Sequence, residues 1–176
     1  MDIRDLLLPG YSQMLRALSG QLDKAREQLE DEGKRADDLL DARIAPDMFP
    51  LSSQVQFVCL QAEEARGRLL DDPIDAPNAP PETLADAQDM IARAVDRLET
   101  ACQGDPHSDE RRMIELKLPR EMVFDLDLAE YVRSWAAPQF YFHLVAAYAI
   151  MRHHGVALGK PDYVPHMFGF LRGGAS

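Results

Sequence analysis

The 176-residue sequence predicts a mainly α fold, a four-helix bundle with a short β-hairpin between the third and fourth helices. Three observations predict it. Four long stretches place apolar residues at steps of three and four, the spacing of one buried helix face. Two short stretches before the last helix alternate apolar and polar residues about a proline turn, the mark of a hairpin. Proline- and glycine-bearing segments separate the periodic stretches. Four amphipathic helices must bury four stripes, and a bundle is the economical way to do so.

The first period is Tyr11, Met14, Leu15, Leu18, Leu22, Ala25 and Leu29, with Gly33 as its stop. Pro9-Gly10 either starts this helix or kinks an earlier turn. A connector follows, in which Asp37-Asp38-Leu39-Leu40 predicts a short helical turn. Pro50 suits the first turn of a second helix, where a missing N–H costs nothing. That helix carries Leu51, Val55, Val58, Ala62, Ala65 and Leu69, its apolar face widened by Phe57, Cys59 and Leu60. Pro73, Pro77, Pro80 and Pro81 make the next segment a loop. The third helix carries Leu84, Ala87, Ile91, Val95, Leu98 and Cys102 and ends at Gly104-Asp105-Pro106. Ile114, Leu116 and Leu118, then Met122, Phe124 and Leu126, flank Pro119-Arg120-Glu121 as the hairpin, which must pack on helices to persist. Asp127 to Glu130 resembles a capping box. The fourth helix runs from there to about His154, with Pro138 expected to kink or divide it and Gly155 to end it. Residues 1–176 read as one domain. The tail over 156–176 holds Tyr163, Met167, Phe168, Phe170 and Leu171, so it is expected to lie on the bundle or on a second subunit.

The net charge of −11 repels phosphate backbones and anionic lipid, so neither nucleic acid nor membrane is an expected partner. No apolar run approaches the ~20 residues of a membrane span, and the acidic start does not resemble a signal peptide. The cytoplasm is the expected compartment. Cys59 and Cys102 stand in apolar-periodic stretches without Cys-x-x-Cys or Cys/His spacing, which suits buried thiols more than a disulfide, a nucleophile or a zinc site.

Chemistry concentrates on His143, within Gln139-Phe140-Tyr141-Phe142-His143-Leu144. Gln139 is one helical turn earlier and shares its face. An inward histidine of a bundle is either a metal ligand or a core residue bonded to a Tyr or Gln. His153-His154, beside Arg152, suit a helix C-terminus. His107 falls in a loop and His166 in the tail, neither with ligand-spaced neighbours. The acidic runs Glu30-Asp31-Glu32, Asp37-Asp38 and Glu63-Glu64 read as solvated helix faces. No Glu-x-x-His, Gly-x-Ser-x-Gly, P-loop or dinucleotide pattern is present.

Two longer segments carry a resemblance. The first is Ala42-Arg43-Ile44-Ala45-Pro46-Asp47-Met48-Phe49-Pro50-Leu51 followed by Gln54-Val55-Gln56. The second is Pro138-Gln139-Phe140-Tyr141-Phe142-His143 followed by Ala147 to Val156 and Leu158-Gly159-Lys160. Both resemble the bacterial domain-of-unknown-function family DUF1993, over a span from Leu6 to about Tyr163. That family is placed with the DinB/YfiT-like four-helix proteins, so the resemblance implies a DinB-like bundle. It also implies what many of that superfamily do: bind a divalent metal through three histidines, one on the second helix and two as His-x-x-x-His on the fourth. Characterised relatives include thiol-dependent transferases and isomerases, and homodimers are common. The fourth-helix pattern puts the last ligand nine residues before an Arg that precedes the closing Gly, which matches His143, Arg152 and Gly155. Gln139 stands at the other fourth-helix position, and Gln54 or Gln56 at the second-helix one, with Gln54 favoured. The expected pocket is therefore Gln54, Gln139, Tyr141 and His143. The residues themselves require no cofactor, and a divalent metal at His143 is the one group the resemblance would bring. A small-ligand-binding or structural bundle without metal is the favoured reading. A metal-dependent, thiol-linked transferase or isomerase with an altered site is the alternative.

Overall fold

The computed structural model describes residues 2–103, 109 and 111–172. Helix α1 spans Ile3–Asp31, opened by the Asp2 carboxylate accepting from the Arg4 amide at 2.8 Å. Pro9 lies inside it, so the helix starts before the proline rather than at it. Gly33 stops it in the left-handed region at φ +71, where a Cβ would be strained. The Lys34 amide then reaches back to the Leu29 carbonyl. A 3-10 turn, Ala36–Asp41, buries Leu39 and Leu40.

Helix α2, Leu51–Leu70, uses Pro50 as its N-cap, one position earlier than the sequence reading. Helix α3, Leu84–Cys102, begins with a reciprocal Thr83–Asp86 capping box. The proline-rich loop between them is pinned by side chains: Gln56 donates to the Pro77 carbonyl and Arg97 to the Asp75 carbonyl. Gly104-Asp105-Pro106 and His107 lie outside the described residues.

Strands β1, Met113–Leu118, and β2, Met122–Asp127, pair antiparallel with Ile114 opposite Leu126 and Leu116 opposite Phe124. The turn places Arg120 and Glu121 at positive φ. Only β1 embeds its inner face: Ile114 and Leu116 are buried, whereas Met122 and Phe124 across from it stay exposed. Arg68 on α2 donates to the Glu115 carbonyl and so docks the hairpin on the bundle.

The last helical rod is continuous. Helix α4, Leu128–Tyr131, is capped by Asp127, whose carboxylate accepts from the Glu130 amide. It passes into a π turn, Val132–Ala136, and then into α5, Ala137–His153. Pro138 neither breaks nor divides the rod. Its ring would crowd a carbonyl one turn back, and the wider π register just before it, with Ala137 N–H bonded to the Val132 carbonyl, relieves that conflict. Gly155 ends α5 at φ +88.

Helix α1 packs on α3, α2 on both α3 and α5, and their stripes form one core containing Tyr11, Leu15, Leu18, Val55, Val58, Ile91, Leu98, Phe140 and Leu144. After Gly155 the chain returns along α1. Val156 and Leu158 are buried, and helix α6, Lys160–Tyr163, is tied down by Lys24 to the Asp162 carboxylate at 3.0 Å and by Tyr148 against Tyr163. A 3-10 turn, Pro165–Phe170, follows it. Among the described residues no helix is long and apolar enough to cross a membrane.

The reading of Glu63-Glu64 as a solvated face is corrected. Glu63 is only 4% exposed and is held by Arg66 and Arg97, while Glu64 is half-buried. The stripe that α2 buries is wider than its apolar residues, because α3 and the proline-rich loop close over its Glu63 side as well.

Candidate functional site

Helices α2 and α5 run antiparallel, which brings Gln54 in the first turn of α2 to His143 in the second turn of α5. His143 Nδ1 lies 2.9 Å from Gln54 Oε1. The orientation of the amide follows from its other end. Gln54 Nε2 donates to the Phe49 carbonyl at 3.3 Å, and a carbonyl can only accept. The amide oxygen therefore faces the ring, Nδ1 carries the proton, and Nε2 is left as a lone-pair acceptor.

Gln54 is buried and His143 half-buried. Aromatic rings complete the surroundings: Phe57 at 5.0 Å and Phe142 at 5.2 Å from the imidazole, with Phe49 packed edge-on against Phe57. Desolvation there holds His143 well below the usual histidine range, down to about 4. The site thus presents a neutral imidazole with a fixed tautomer in an apolar aromatic frame.

The other residues singled out from the sequence fall around this pair unevenly. Gln139 sits half-buried one turn before His143 on the same helix. Tyr141 turns toward α1, edge-on to Tyr11 at 6.2 Å, because residues two apart on a helix face different ways. Gln56 points to the proline-rich loop through the Pro77 carbonyl, so Gln54 is the α2 residue that meets His143. His154 Nε2 lies 3.2 Å from the Arg43 carbonyl at the end of α5, and His153 is exposed beside it. His166 is half-buried near α6.

A metal tests poorly against these donors. Among the described residues no group of three His, Cys, Asp or Glu side chains converges. One imidazole with neutral carboxamides is a weak set for a transition metal, and the Gln54 oxygen is already directed at the Nδ1 proton. The cysteines offer no thiolate either. Both are free, and burial pushes the Cys59 thiol up to about 12 and raises Cys102.

Sequence reasoning missed two features. One is Glu63, which faces a cleft lined by Cys59, Asp75, Pro77, Met90 and Arg93. Glu63 and Arg66 stand three apart on α2, but only the fold brings Arg97 of α3 and the proline-rich loop onto the same carboxylate. The other is a set of buried polar atoms on Tyr11, Gln61 and Trp135 that find no hydrogen-bond partner.

Comparison with known proteins supports the architecture. The fold matches the crystal structure of a DinB family member protein from Shewanella denitrificans with a TM-score of 0.78 and 33% identity, over 92% of this chain and 91% of that one. The protein is a DinB-like helical bundle. No curated protein matches it. The model of the Domain of unknown function family DUF1993 matches residues 4–164, and the chain belongs to that family.

Proposed function

We propose that the protein is a small-ligand-binding bundle that uses the DinB-like α2–α5 site without a resident metal. The single observation that carries this reading is the His143–Gln54 hydrogen bond. A histidine kept as a metal ligand gains from a second group that orients it and leaves more donors beside it. Here the amide orients the ring, but carboxamides stand where further ligands would have to be. What remains is one acceptor, Nε2, framed by Phe57, Phe142 and Phe49. That suits a largely apolar ligand carrying one N–H or O–H donor.

Exposed apolar side chains near the site and in the C-terminal segment support self-association. Phe142, Val145 and Phe49 are exposed beside the site, and Met167, Phe168, Phe170 and Leu171 are exposed in the segment after α6. Apolar surface of this extent is the usual mark of an interface, so a homodimer through α5 accompanies the proposal. The two unpaired thiols fit a reducing compartment such as the cytoplasm.

Metal analysis of untagged protein, never exposed to a metal column, tests the reading. Substoichiometric metal after incubation with zinc, nickel and manganese is the expected result. A stoichiometric divalent metal that is lost in His143→Gln would overturn it in favour of a metal-dependent, thiol-linked transferase or isomerase. Light scattering tests the dimer, with Phe142→Asp expected to yield monomer.

A further inference from the structure

Helices α2 and α3 and the proline-rich loop line one cleft of about 230 Å3. Polar ties set the height of the loop above the helices. The Asp75 amide donates to Glu63 on α2, Arg97 on α3 donates to the Asp75 carbonyl, and Gln56 on α2 donates to the Pro77 carbonyl. Between those ties Ala76 is too short to fill the gap, and Cys59 and Ala94 in the same lining are small as well. Cys59, Met90 and Ala94 are buried and give the cleft an apolar floor. An apolar cavity of roughly 150 Å3 takes a benzene ring, so this space admits a single ring or a short chain.

The charges around the cleft are unevenly matched. Glu63 is held by Arg66 and Arg97, and Arg97 also pairs with Asp75, so two guanidinium groups offset two carboxylates. Arg93 lines the same cleft and makes no ion pair or hydrogen bond among the described residues. Its charge is felt at the floor: burial raises the Cys59 thiol, and the Arg93 cation acts against that rise. Glu82, Asp86 and Asp89 border an adjoining groove that Arg93 and Met90 also line, and none of the three is ion-paired with Arg93. The guanidinium fork is therefore open to a ligand. A planar fork of donors beside an apolar floor matches a carboxylate that carries a compact apolar body. A monoanion suits it better than a phosphate dianion, because the Glu63 and Asp75 carboxylates share the lining and repel a second negative charge.

We propose that this cleft binds a small monocarboxylate, its carboxylate paired with Arg93 and its apolar body resting on Cys59, Met90 and Ala94 beneath the loop. The cleft shares no residue with the His143–Gln54 pair and does not depend on the role given to that pair.

The Met90 methyl resonance reports on the floor directly. Benzoate and butyrate are titrated into the full-length protein, with sodium chloride at matched ionic strength as the blank and benzamide as the uncharged counterpart of benzoate. A saturable shift of the Met90 methyl with at least one of the two acids is expected. Affinity is expected to be about tenfold or more weaker for benzamide and in Arg93→Gln, the effect of losing a charged hydrogen bond. Arg93 is exposed, so Arg93→Gln leaves the packing of α3 intact. Ala76→Leu, which fills the cleft from the loop side, is expected to abolish the shift. A Met90 response no different from that to chloride would overturn the proposal. Benzamide binding as tightly as benzoate, or an affinity for the acid unchanged in Arg93→Gln, would overturn it as well, since neither leaves a role for the guanidinium. An acid that still binds Ala76→Leu with the parent affinity would sit elsewhere and overturn it too.

Discussion

Glu63 and Arg97 join α2 to α3 through a 3.1 Å ion pair whose carboxylate is almost wholly buried. Arg66 grips the same carboxylate at 2.9 Å, and the Asp75 amide of the proline-rich loop donates to it at 3.3 Å. One side chain thus ties two helices and a loop that has no regular structure of its own. Removing it leaves two guanidinium groups short of a partner, Arg66 largely enclosed and Arg97 more than a third exposed. Breaking a buried pair costs ~3–5 kcal/mol, but Arg66 retains Asp72 and the Pro73 carbonyl, and Arg97 retains Asp75. Glu63→Ala is therefore expected to lower stability by about 2–3 kcal/mol, read from urea unfolding. A loss below half that would show that the network contributes little.

Gly67 is the complementary contact between α2 and the same loop. A Cβ there would meet Ile74 Cγ1 at 2.6 Å and the Asp72 carbonyl oxygen at 3.0 Å. In an exposed helix Gly→Ala would stabilise by up to ~1 kcal/mol through propensity. Here the loop must move away, so Gly67→Ala is expected to destabilise by about 1–2 kcal/mol, in the range of overpacking. Limited proteolysis checks the mechanism independently, because a displaced loop should be cut near Asp75 before the helices are.

These two residues also mark what the sequence alone conveys. The helices were legible because their stripes repeat locally, as in Tyr11, Leu15, Leu18 and Leu22, and the hairpin because Ile114, Leu116 and Leu118 alternate. The resemblance of their segments led to the expectation that His143 and Gln54 share one neighbourhood, and the structure joins them by a hydrogen bond although they are 89 apart in the chain. Glu63 was not, since a Glu-Glu pair looks the same on a solvated face as under a loop that folds over it. The π turn was equally hidden. Pro138 signals a disturbance in the helix, but whether it becomes a break, a kink or a widened turn is set by how the rod packs against α2, which the local sequence does not carry.

The two cysteines should react very differently. Cys59 is buried between α2 and α3, and its thiol is pushed up to about 12. Cys102 is half-buried at the end of α3. Iodoacetamide under native conditions is expected to label Cys102 slowly and Cys59 only as the chain unfolds, so that Cys59 labelling follows the urea transition. Mass spectrometry of the two peptides checks this. Labelling of Cys59 well below the unfolding midpoint would reveal a local opening of α3 away from α2.

His143 should make stability depend on pH in a window of its own. Burial holds its folded value at about 4, below the ordinary 6.5. The unfolded chain therefore takes up the proton first, and the folded state loses stability as pH falls from about 6.5 toward about 4, with no effect above that window. Between about pH 7.5 and 5.5 the expected loss is about 1 kcal/mol, allowing for the partial exposure of the ring. The other histidines are common to the parent protein and to His143→Gln, so the difference between the two isolates this residue. Urea midpoints for the pair, measured at matched ionic strength, should diverge at neutral pH and draw together toward pH 5.5. Parallel curves across that range would mean that the imidazole titrates alike in both states, and that burial does not hold it neutral.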